Sequence, residues 1–230
     1  MTKTSFPDIV VGAKRLRVAV LLSIAGGFLD AYTYFVRGGV FSNAQTGNIV
    51  MLGIAVVSGE HENDEKYLLS IAAFLSGIIT VLIVEKGLQE RKIPFVRRAV
   101  LLIESLTLFF VGFLPRTANA NLLANVFVSF VAAMQMEAFK TFRGEPIATT
   151  VSTGNLRKFA ENLYTGTMEH NPGKIKIASF YLMVILSFVA GACFGAFLSM
   201  KIAERAIFAV VVVLLIACGV ITLIKKTDPV

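Results

Sequence analysis

Charge is scarce in this chain. Asp, Glu, Lys and Arg make up 16% of its 230 residues, where a soluble domain carries about 25%. With so few charges and no long polar stretch, the sequence leaves no room for a large soluble domain. Cysteine is nearly missing. Cys193 and Cys218 both lie in apolar runs and read as packing residues, which excludes a disulfide framework. The two histidines, His61 and His170, fall in polar loops. No His/Glu metal helix, P-loop or Gly-x-Ser-x-Gly elbow occurs, so no enzyme activity, catalytic residue, metal site or cofactor is expected. The leading stretch Met1–Arg17 is too polar for the apolar core of a cleavable signal peptide. The first apolar segment therefore reads as a retained span.

What is abundant is apolar side chain. The chain is 56% hydrophobic with a mean hydropathy of +0.74, and its apolar residues gather in runs such as Ala206–Ile224. Runs of about 17–25 apolar residues cross a bilayer as helices. The expected fold is an all-α polytopic membrane protein, a single membrane domain over residues 1–230, with the lipid bilayer as its first partner. The net charge of +7 does not imply nucleic acid. The basic residues sit in short segments flanking apolar runs, as the positive-inside rule predicts for loops beside a membrane.

Six segments are predicted spans: Val18–Val36, Tyr67–Val84, Ala99–Leu114, Leu122–Phe142, Ile175–Met200 and Ala206–Ile224. Two more are ambiguous. Thr46–Ser58 is apolar but reaches across only about half a bilayer or slightly more at ~1.5 Å per residue. Thr150–Tyr164 carries Arg157, Lys158, Glu161 and Asn162, which lipid does not tolerate unshielded. Loop charges arbitrate. The N-terminal segment holds Lys3, Lys14, Arg15 and Arg17, and the Glu85–Arg98 loop holds Lys86, Arg91, Lys92, Arg97 and Arg98. Both belong on the cytoplasmic side. They share that side only if Thr46–Ser58 is a re-entrant half-helix that dips and returns. Six spans plus two re-entrant half-helices, with both termini cytoplasmic, follow; the mildly basic Lys201–Arg205 loop, placed outside, is the exception. Three spans per half is an odd number, so the second half is inverted relative to the first. The two repeats cover about residues 18–114 and 122–224. Inverted repeats of this kind build many transporters.

The repeat is written in a motif. Leu29-Asp30-Ala31 leads through Arg37-Gly38-Gly39 to Thr46-Gly47-Asn48, and Met136-Glu137-Ala138 leads through Arg143-Gly144 to Thr153-Gly154-Asn155. Asp30 and Glu137 are separated by the same interval as Thr46 and Thr153, and Arg98-Ala99-Val100 and Arg205-Ala206-Ile207 repeat it. Non-helical backbone at membrane depth must be shielded by protein or line a polar cavity. Gly38, Gly39 and Pro146 break the helices. Each Thr-Gly-Asn then opens a helix, where Thr is expected to cap free N–H groups, Gly to admit another backbone, and Asn to bridge the copies. Helix N-termini attract anions. The candidate ligand-binding residues are Asn43, Gln45, Thr46, Gly47, Asn48, Thr150, Thr153, Gly154 and Asn155. The candidate proton- or ion-coupling residues are the intramembrane carboxylates Asp30, Glu137 and Glu104. Asp30 and Glu137 alternatively pair with Arg37, Arg143 or Lys140 or cap a half-helix, and Glu104 alternatively pairs with Arg157. Gly191 and Gly195 suit tight helix packing within the chain.

Gly27-Phe28-Leu29-Asp30-Ala31, Val40-Phe41 and Thr46-Gly47-Asn48 together resemble the signature of the YoaK family of bacterial inner-membrane proteins. The resemblance runs from about Arg17 to Ile224, with the second copy of the motif more diverged. It implies a bacterial plasma-membrane location and supplies no catalytic residue. The leading functional expectation, drawn from the repeat, is a transporter or permease-like protein for a small polar or anionic solute, with proton coupling through those carboxylates as an option. A channel built from paired half-helices and a non-transporting scaffold or sensor remain open alternatives. The oligomeric state stays open as well.

Overall fold

A computed structural model describes residues 6–59, 61–88, 93–142, 145–150 and 152–223. Among these residues the chain is helical, running α1 (Phe6–Val36), α2 (Gln45–Ser58), α3 (His61–Gly87), α4 (Ile93–Val111), α5 (Ala118–Ala138), α6 (Thr153–Met168), α7 (Pro172–Ile202) and α8 (Ile207–Thr222). A two-residue antiparallel pair, β1 (Thr141–Phe142) with β2 (Glu145–Pro146), lies between α5 and α6. Arg143 and Gly144, part of the second motif copy, fall outside the described residues.

Among the described residues, four segments are long and apolar enough to cross a membrane: Arg15–Val36, Asp64–Gly87, Ala118–Ala138 and the 51-residue Pro172–Thr222, which contains both α7 and α8. The exposed side chains of the bundle are those of a lipid-facing surface. On α2 they include Ile49, Val50, Ile54, Val56 and Val57. Helix α4 carries the charged residues Arg97, Arg98 and Glu104, and α2 is only 14 residues long.

Local chemistry sets the boundaries. Asn171 caps α7, its Oδ1 accepting from the N–H groups of Gly173 (3.0 Å) and Lys174 (3.3 Å), with Pro172 just inside the helix. Helix α5 ends four residues before its predicted end. The Ile147 N–H donates to Lys140 O (3.0 Å), drawing the chain into the short hairpin rather than a further helical turn. Gly38 and Gly39 adopt φ of +88° and +76° after α1, a conformation cheap only for glycine.

Helix α1 packs on α7 and α8, α5 on α3 and α4, α2 on α3, α6 on α7, and α4 on α8. The α1–α7 crossing is close because Gly191 lies directly against Ile24 O, and a Cβ on Gly195 would come within 2.7 Å of Phe28 O. The α3–α5 crossing is close for the same reason, with Gly77 against Phe130 O. Without a hydrophobic drive in lipid, such contacts hold helices by van der Waals packing.

Candidate functional site

The first copy of the motif folds around Asp30. Its side chain leaves α1 and meets the segment ahead of α2, where Oδ1 accepts from the Asn43 N–H (2.8 Å) and the Ser42 hydroxyl (3.2 Å). A carboxylate at a helix N-terminus is favoured by the exposed N–H dipoles there. Asn43 Nδ2 in turn donates to Gly26 O (3.0 Å), so the segment is stitched to α1 from both sides.

Asn48 does not bridge the copies. Its Nδ2 donates to Phe41 O (2.7 Å) and its Oδ1 accepts from the Phe41 N–H (3.0 Å). The side-chain amide thereby replaces the partner strand that the extended segment lacks. Asn155 does the same in the second copy, with Nδ2 donating to Ala148 O (2.6 Å) and Oδ1 accepting from the Ala148 N–H (3.3 Å). Each asparagine brackets its own break. Buried backbone groups left unpaired here would each cost about 1–3 kcal/mol.

Neither threonine caps its helix. Ala44 and Ser152 hold the capping positions of α2 and α6 without a side-chain cap bond, while Thr46 and Thr153 sit in the first turn with exposed side chains. Gly47 and Gly154 do not admit another backbone either. A Cβ on Gly47 would meet the Phe41 ring at 2.9 Å, and one on Gly154 would meet nothing within 4 Å.

The carboxylate of the second copy lies elsewhere. Glu137 accepts from Lys140 Nζ at 2.6 Å, and Lys140 also lies 3.8 Å from Glu85. The adjoining Glu137 carboxylate holds the Lys140 ammonium pKa above its ordinary value. Glu104 is fully buried, and neither of its carboxylate oxygens has a hydrogen-bond partner. It does not pair with Arg157, which instead bonds Glu161 at 2.7 Å, as Lys158 does at 3.0 Å.

Arg37 does not pair with a repeat carboxylate. Its guanidinium is fully buried and donates to Tyr32 Oη (2.9 Å), Val111 O (2.9 Å), Leu114 O (3.1 Å), Pro115 O (3.0 Å) and Asn121 Oδ1 (3.3 Å). The carbonyls at the end of α4 supply the negative potential that the charge needs. Asn125 Nδ2 donates to Arg37 O (2.8 Å), so one arginine joins α1, α4 and α5.

A cavity of about 640 Å³ lies where the two copies meet. Asp30, Asn43, Ala44, Gln45 and Thr46 line it from the first copy, and Met136, Ser152 and Thr153 from the second. Tyr34, Phe35, Phe41, Phe74 and Phe188 supply aromatic walls, completed by Ala31 and Ala192. Of the residues expected at a site, Asp30, Asn43, Gln45, Thr46 and Thr153 are brought together. Gly47, Asn48, Thr150, Gly154, Asn155, Glu137 and Glu104 are not among the lining residues. The aromatic walls escape sequence reading because Phe in an apolar run looks like any span residue. Ser152 had a signal, lying one residue before the Thr-Gly-Asn.

The model of a family described as "Protein of unknown function (DUF1275)" matches residues 18–220. The UPF0700 transmembrane protein YoaK of Bacillus subtilis (strain 168) is 26% identical over 154 residues, covering 66% of this chain and 68% of that protein. No solved structure matches the chain. The motif, the helical membrane bundle and the family match coincide: the chain is similar to YoaK and belongs to the DUF1275 family.

Proposed function

We propose that the chain is a transporter or permease-like protein, not an enzyme, that binds a small polar solute between two inverted repeats. The observation that carries this reading is a cavity lined from both motif copies, with the N-terminal ends of α2 and α6 opening onto it. Its volume of about 640 Å³ falls within the ~300–1,000 Å³ of small-molecule sites. The packing supports the repeat. Exchanging α1 with α5, α2 with α6, α3 with α7 and α4 with α8 maps the set of main helix contacts onto itself, with the α4–α8 contact exchanged with itself. On this reading α2 and α6 are re-entrant, the other six helices span, both termini are cytoplasmic, and the membrane is the bacterial inner membrane. Rocking of one repeat against the other would expose the cavity to alternate sides, with Asp30 as the coupling carboxylate.

The test is accessibility. Thr46→Cys and Thr153→Cys, made in a Cys193→Ala/Cys218→Ala background and reconstituted in liposomes, should both react with a membrane-impermeant maleimide. A short bifunctional reagent should link the double variant. Cysteines unreactive from either side would rule out a solute path through this cavity.

A further inference from the structure

We infer that the cavity between the two motif copies is built for a protonated organic amine rather than an anion. This rests on the reading of that cavity as a solute site. Among its described lining residues Asp30 is the only charged one, although the chain as a whole carries +7. Among the described residues, basic side chains near the motifs are engaged elsewhere: Arg37 on the carbonyls ending α4, Lys140 on Glu137, and Arg157 and Lys158 on Glu161.

The second acceptor is Asn43. It is 1% exposed, lines the cavity, and its Oδ1 has no hydrogen-bond partner. The orientation of this amide is fixed, because Nδ2 faces Gly26 O at 3.0 Å and a carbonyl can only accept. An unpaired acceptor beside a carboxylate calls for a ligand with N–H donors and positive charge.

The helix ends do not reverse this. At α2 the donors are largely taken. Asn43 N–H is on Asp30, Gln45 N–H on Asn43 O, and the N–H groups of Gly47 and Asn48 on Ala44 O. The end of α6 contributes about half an elementary charge, less than the unit charge that an ionised Asp30 carries. The five rings of Tyr34, Phe35, Phe41, Phe74 and Phe188 add negative faces for a cation and apolar surface for its body. Tyr34 and Phe41 already stack at 5.0 Å between centroids, giving a flat wall on one side.

Calorimetry on the full chain in lipid nanodiscs tests this with three probes that share one aryl body: phenethylammonium, 3-phenylpropanoate and 2-phenylethanol. Phenethylammonium should bind about tenfold or more tighter than the other two. Asp30→Asn should remove most of that preference. Because Asp30 also holds the Asn43 segment, Phe74→Leu and Phe188→Leu provide a second route, and each should weaken the ammonium more than the alcohol. Equal binding of the three probes, preference for the carboxylate, or no ammonium binding overturns the inference. If that happens while Thr46→Cys and Thr153→Cys still label, the solute site stands and only its preference for a cation falls. If the cysteines are also unreactive, both fall.

Discussion

In the first copy of the motif, Asp30 is buried and accepts bonds from the segment that leads into α2. In the second, Glu137 turns to Lys140 at the end of α5 and takes no part in the cavity. Yet the two breaks share a backbone solution, the asparagine amide clasping the residue seven positions before it. The frame of the repeat is thus symmetric and its charge is not. A broken backbone makes the same demand of both segments. A ligand occupying one cavity makes no such double demand, so the carboxylates are free to differ.

The largest expected effect separates these carboxylates. Asp30→Ala strands the Asn43 N–H and the Ser42 hydroxyl, and hydrogen bonds to a charged group are worth about 1.5–3 kcal/mol. Glu137→Ala breaks a pair whose lysine is half exposed, worth at most about 1 kcal/mol. Thermal unfolding in detergent should show a clear loss for Asp30→Ala and little change for Glu137→Ala. Equal losses would erase the asymmetry.

The shared frame makes the opposite prediction. Asn48→Ala and Asn155→Ala each leave a backbone N–H and C=O without a side-chain partner, at about 1–3 kcal/mol. The two losses should be of similar size, both within that range. A large cost at one asparagine and none at the other would show that the two breaks are held by different means.

The glycines sharpen the contrast at smaller scale. Gly154→Ala adds a Cβ into open space in the first turn of α6 and should stabilise by up to about 1 kcal/mol through helix propensity. Gly47→Ala pushes a Cβ against the Phe41 ring, which also walls the cavity, and should be neutral or destabilising. A gain at Gly47 equal to that at Gly154 would mean the Phe41 ring moves freely.

Much of this was legible in the sequence, for identifiable reasons. Helix starts at Gln45 and Thr153 lie within a few residues of the expected ones because Gly38-Gly39 and Pro146 forbid continuation of the preceding helix. The difference between the carboxylates also had a signal. Glu137 is followed three residues later by Lys140, one turn along, where Asp30 is followed by Thr33. The burial of Arg37 had a weaker one, an arginine directly before the glycine pair. What stayed hidden depends on packing between distant segments. Phe74 and Phe188 belong to α3 and α7, and nothing local marks them as the walls of a cavity. The roles expected of Thr46 and Gly47 failed because the capping positions fall at Ala44 and Ser152, which leaves Thr46 the second residue of α2 and Thr153 the first of α6.

The smallest effect concerns the outer faces of α2 and α6. Both helices open with Thr-Gly-Asn, but α2 continues with exposed Ile54, Val56 and Val57, and α6 with exposed Arg157 and Glu161. An exposed pair on a helix contributes about 0.3–0.5 kcal/mol, so Glu161→Gln should barely move the unfolding temperature. The information lies in solvent rather than in stability. Lipid would not tolerate Arg157 unshielded, so the outer face of α6 should meet water while that of α2 meets acyl chains. In the cysteine-free background, a cysteine at Ala160 should react readily with a hydrophilic maleimide and one at Val57 should not. If Val57 labels as fast as Ala160, α2 is not embedded in the bilayer and the re-entrant reading of the first repeat fails. If neither labels, something other than water covers the charges of α6, and the two half-helices are more alike in their surroundings than in their residues.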